Sequence, residues 1–144
     1  MSRKQDNSFT LADLIVERVR PTNKFLEEMN EIIPWSEFEI FFKKHLPRNP
    51  DGPGRPPYPL IFLFKIHLFQ QWNNLSDEKV EFMIYDSLSL RKFLNLCLES
   101  DVPDSTTIEN FRHLIEERGW DKKLMKLLDN YFIEKGLIRK EGNI

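Results

Sequence analysis

One cysteine in 144 residues, Cys97, leaves no disulfide within the chain. Neither a cross-linked scaffold nor an oxidising compartment is indicated, and a reduced cytoplasmic protein is the expectation. Long apolar runs are missing as well. The most extended, residues 58–69, is interrupted by Lys65 and His67 and falls short of the roughly 20 residues that a membrane span needs. Residues 1–20 carry charges throughout and contain no apolar stretch of the kind that targeting peptides have, so no membrane partner is expected. The five glycines form neither a phosphate-cradling Walker loop nor a dinucleotide turn, and no nucleophile stands at a telling distance from a base. The carboxylate pairs Asp101 with Asp104 and Glu116 with Glu117 have simpler roles at a helix end or on a solvated face. His67 has no second His or Cys at ligand spacing. No catalytic residue, metal or cofactor is expected of these 144 residues, and the chain is not expected to be an enzyme on its own. A surplus of positive charge is absent too: the net charge is −2, which counts against a simple basic coat for nucleic acid.

What is present is helical patterning in the length of one domain. Forty per cent of the residues are apolar, and twelve Phe with three Trp favour a core filled by large rings. Apolar residues at spacings of three and four predict helices over residues 10–20, 23–33, 34–46, 60–72, 76–86, 90–96, 103–119 and 121–135. The expectation is an all-α, compact domain of about seven helices with an atypical helix-turn-helix-like portion. Residues 60–72 are apolar nearly all round and predict the central helix; a lone His67 there reads as a core histidine held by a hydrogen bond. Ser76 suits an N-cap, Ser87 and Ser89 suit a turn, and Gly119 and Gly136 suit left-handed helix ends. Residues 47–59 hold most of the nine prolines and two of the five glycines, a composition that excludes a helix and predicts a stiff internal loop. Within it Arg55, between Gly54 and Pro56, has the character of an arginine presented to a minor groove, or of an ordinary loop residue. Residues 137–144 predict a short extended tail. The division expected is a helical domain over 1–136 and a separate beginning over 137–144.

The segment 103–119 carries the clearest functional signal. Ile108, Phe111 and Ile115 form its apolar stripe, while Thr106, Thr107, Asn110, Arg112 and His113 fall outside it. Asp104 or Thr106 can cap it, the latter in a capping box with Glu109. Asn and Arg side chains near the start of such a helix can make paired hydrogen bonds to adenine and guanine. The alternative is structural: Thr106 and Thr107 cap, Arg112 pairs with Glu109 or Glu116, and His113 faces the core edge. Basic residues cluster elsewhere, as Lys43, Lys44, Arg48 and Arg55 and as Lys122, Lys123, Lys126, Lys135, Arg139 and Lys140, and read either as phosphate contacts or as solvated faces.

The segments IIPW at 32–35, GRPPYPL at 54–60, KIHLFQQWNNLSD at 65–77 and PDSTTIENFRHLIE at 103–116, in this order, resemble the N-terminal region of bacterial insertion-sequence transposases of the insertion-sequence-five, or InsH-type, family. The resemblance runs from about residue 9 to 144, and KGLIRKEGNI at its end is similar to the family segment that enters the first strand of the catalytic domain. It implies a DNA-binding domain for the terminal inverted repeats of a mobile element in the bacterial cytoplasm, cut off before the acidic residues that bind Mg²⁺ in the full-length family. It implies DNA as partner, while the near-neutral net charge and the many large aromatics point to a homodimer or the full-length transposase as further partners. The alternative is a helical assembly or inhibitory module without direct base readout.

Overall fold

The computed structural model describes residues 23–45 and 58–137. The expected helix over 10–20, the proline-rich loop with Arg55, and the tail from residue 138 onward lie outside them. The described residues form seven helices and no strand. They are α1 (Lys24–Ile32), α2 (Trp35–His45), α3 (Leu60–Asn73), α4 (Asp77–Asp86), α5 (Leu88–Phe93), α6 (Ser105–Glu117) and α7 (Trp120–Glu134). None is long and apolar enough to cross a membrane.

Helix α3 is the core. Nine of its fourteen residues are buried, as a sequence apolar on every side requires. Helix α2 lies on it through Phe38, fully buried and stacked on Phe64 at 5.1 Å, and through Phe42, edge-on to Phe64 at 5.8 Å. Helix α6 reaches the same place from the other direction: the Phe111 ring is 6.3 Å from both Phe42 and His67. Trp120 opens α7, buried against Phe41 and Phe42. Phe25 of α1, almost half exposed, still meets Trp72 edge-on at 5.1 Å.

Short polar side chains set the helix starts by accepting otherwise unpaired N–H groups. Asn23 accepts from Leu26, Ser76 from Lys79, Ser87 from Leu90 and Asp104 from Thr107. Thr106 is therefore not the cap of α6, and no capping box with Glu109 is needed. Ser87 caps the end of α4 and the start of α5 at once, so α5 begins at Leu88 rather than 90, with no turn at Ser89. It stops at Phe93 because Asn95 turns left-handed at φ 58°, which lets the Leu96 N–H reach the Arg91 carbonyl at 2.8 Å. Asn74 ends α3 in the same way, at φ 52° with the Leu75 N–H on the Gln70 carbonyl. The stretch between α5 and α6, residues 94–104, is thus longer than the gap expected between the helices over 90–96 and 103–119, and further from a compact helix-turn-helix. Gly119, at φ 66°, both ends α6 and opens α7, which moves the α7 start to Trp120.

Candidate nucleic-acid interface

Helix α6 buries Ile108, Phe111 and Ile115. With 3.6 residues per turn, the side most distant from that stripe is the ridge Thr106, Asn110 and His113, all three exposed. Thr107 and Arg112 sit half-buried on the two flanks. Of the residues nominated from the sequence, three therefore share one solvent-facing line in the first three turns. Arg55 lies outside the described residues.

Arg112 is committed elsewhere. Its guanidinium donates to the Asp77 carboxylate at the first residue of α4, not to Glu109 or Glu116. Asp77 Oδ1 also accepts from Gln70 Nε2 at 2.9 Å, and Gln70 in turn donates to the Leu75 carbonyl. Burial works to raise the Asp77 carboxyl, but the hydrogen bonds from Arg112 and Gln70, with the Arg112 charge, outweigh it and hold the group below its ordinary value. The bond to Asp77 in return raises Arg112. Glu81 adds a second tie from α4, accepting the Ser105 N–H at 2.9 Å. The start and middle of α6 are thus fastened to α4 by charge-assisted hydrogen bonds, which fixes the direction of the ridge.

His113 does not face the core edge. It is exposed, with Nε2 3.9 Å from the Glu109 carboxylate. His67, by contrast, is buried and faces the inner side of α6: Gln71 Nε2 donates to its Nε2 at 3.0 Å. Burial, and secondarily the Arg112 charge, push the His67 ring below its ordinary value. The neutral ring this favours is the form that can accept from Gln71.

The end of α2 and the start of α7, far apart in sequence, meet at Trp120. The His45 ring at the end of α2 is 6.3 Å from the Trp120 ring, and the Arg118 guanidinium lies over that ring at 5.6 Å. Exposed Lys43 and Lys44 stand in the last turn of α2, and exposed Lys122 and Lys123 in the first turn of α7. These lysines flank the end of α6, where Glu116, Glu117 and Asp121 also stand. Arg118 follows Asn110 by eight residues, about 12 Å along a helix and comparable to the width of a DNA major groove.

One node was not legible in the sequence. Lys65, the charged residue of α3, is half-buried beneath Trp35 and Phe93, with Nζ 4.6 Å and 5.1 Å from the two ring centroids. It donates to Asn30 Oδ1 at 2.9 Å and to the Phe93 carbonyl at 3.0 Å, and Trp35 Nε1 donates to the same Asn30 oxygen. Burial lowers its pKa to about 8, against a weaker opposite pull from Glu39. The signal available was a lone lysine in an otherwise apolar helix, which demands partners.

A cavity of about 200 Å³ between α1 and α5, lined by Asn30, Glu27, Glu31, Lys92 and Phe93 among others, is smaller than the roughly 300–1,000 Å³ of small-molecule sites. Among the described residues no three His, Cys, Asp or Glu side chains converge as a metal site would require. A family model described as a transposase domain (DUF772) matches residues 14–114. No solved structure matches the chain.

Proposed function

The chain belongs to the transposase domain family, and from that membership we propose that it is a DNA-binding domain that recognises the terminal inverted repeats of an insertion sequence of the insertion-sequence-five type. The observation that carries this reading is the ridge of α6, where Thr106, Asn110 and His113 stand exposed in one line on a helix whose opposite side is buried. Asn110 has the donor and acceptor pair that matches adenine in the major groove, and Thr106 offers a hydroxyl and a methyl group to base edges. Arg112 is a positioning residue here, acting through Asp77 to hold the ridge. Lys43, Lys44, Arg118, Lys122 and Lys123 supply phosphate contacts beside it, locally offsetting a chain whose net charge is −2. We assign these residues binding without strand cleavage and without a cofactor; the Mg²⁺ chemistry belongs to the catalytic domain of the full-length family. The setting is the bacterial cytoplasm.

Mobility shifts with an element end and with a scrambled duplex test the reading. Asn110→Ala is expected to cost about 1–3 kcal/mol of discrimination, so that end and scrambled DNA bind more nearly alike. Wild-type protein that binds the two duplexes equally, with Asn110→Ala unchanged, would refute base readout.

A further inference from the structure

The outward face of α4 is unexpectedly aromatic. Phe82 and Tyr85 are 65% and 60% exposed, although Asp77, Val80, Glu81 and Ile84 of the same helix are turned to α6 or the core. Around Phe82 the exposed positions are Glu78, Lys79, Tyr85 and Asp86. Helical geometry puts Lys79 and Asp86 along one flank of Phe82, and Glu78 and Tyr85 along the other.

That order is complementary to itself. Two α4 helices packed antiparallel about a two-fold axis normal to their plane bring each flank against its own counterpart, because the axis keeps a flank on the same side while reversing its direction. Centred on Phe82, such a pairing sets Lys79 against Asp86 of the second copy on one flank. On the other it sets Glu78 against Tyr85 of the second copy, whose hydroxyl can donate to the carboxylate. Both contacts occur twice, and the two Phe82 rings meet at the centre. We propose that a second copy of this chain docks on the outer face of α4 through this antiparallel pairing. The two carboxylates against one lysine on the face disfavour a phosphate backbone as the occupant.

The contact is small. Two rings per copy contribute on the order of 100 Å² each, which places the interface below the roughly 1,200 Å² of stable complexes. Association is therefore transient and depends on concentration.

Sedimentation of the full chain over a concentration series reaching high micromolar tests the proposal. The weight-average mass should rise towards that of a dimer. Lys79→Glu and Asp86→Lys, each alone, should return it to the monomer value at every concentration, since each places like charges opposite one another twice. An equimolar mixture of the two variants restores opposite charges at both contacts and should recover the association, as should the double variant K79E/D86K. Recovery in the mixture also shows that neither variant is misfolded. A wild-type chain that stays monomeric throughout, single variants that associate as the wild type does, or a mixture that fails to recover would each overturn the pairing.

Discussion

Replacing Lys65 by Met should flatten the alkaline dependence of stability. The ammonium is held by Asn30 Oδ1 and the Phe93 carbonyl and covered by two rings, yet loss of water dominates and the pKa falls from 10.5 to about 8. At about 1.4 kcal/mol per pH unit, that fall corresponds to a penalty on the charged form of about 3 kcal/mol. The folded chain releases its proton near pH 8 and the unfolded chain only near 10.5. Between those values the unfolded state binds more protons, so stability rises with pH. Below pH 8 the penalty is present in full; above 10.5 it is gone. Other lysines and tyrosines titrate in the same window, so the quantity to follow is the difference between wild type and Lys65→Met. Urea unfolding at successive pH values from neutral to alkaline supplies it. Wild type should gain on the variant by up to about 3 kcal/mol across the window. A difference that is flat, or that falls as pH rises, would show that the Lys65 ammonium is as well accommodated folded as unfolded.

The Arg112–Asp77 bridge predicts the opposite window. The Asp77 carboxyl is held below 3.8 when folded, so its contribution is present above that value and lost as pH falls through the lower folded one. With the Arg112 side chain 31% exposed, Asp77→Asn should cost about 1 kcal/mol at neutral pH, and urea unfolding in stepwise more acid buffer should show the two proteins converging. Gly119→Ala should cost about 1 kcal/mol through its left-handed backbone alone, because a Cβ there meets nothing within 4 Å. Thermal melting should accordingly place Gly119→Asn between the wild type and the alanine variant, and equal melting of alanine and wild type would refute this.

Periodicity made the buried stripes legible. Ile108, Phe111 and Ile115 were visible as the inner face of α6, and the near-continuous apolar run of α3 as the core. The same rule, by naming Val80 and Ile84 as inward, left Phe82 and Tyr85 outside without saying what an exposed aromatic pair does there. Asn95 and Asn74 as helix terminators were within reach, since each is followed by a leucine that closes the cap. Arg112 was not. Local spacing offers an arginine only partners three or four residues away, and its actual partner, Asp77, is 35 residues distant and brought near by the packing of α4 on α6. The same applies to the end of α2 and the start of α7, far apart in sequence and brought together where Phe41 and His45 meet Trp120.

Helix α4 joins the two proposed surfaces without making them compete. Its inner edge, through Asp77 and Glu81, holds α6, while Phe82 and its flanks look outward. At about 1.5 Å of rise per residue, α4 is a rod about 15 Å long, and a pairing through its outer face would carry each α6 along as part of a rigid unit. The two-fold axis then relates two identical ridges in inverted orientation, which is the relation between the two terminal repeats of an insertion sequence. A contact that holds two free chains together only transiently and at high concentration would become effective once both are bound to one DNA molecule, because tethering replaces bulk concentration with a much higher local one. On the proposed reading, weak self-association would be the more useful property for such a domain: it would leave single ends free to be searched for and engage when two ends are already occupied.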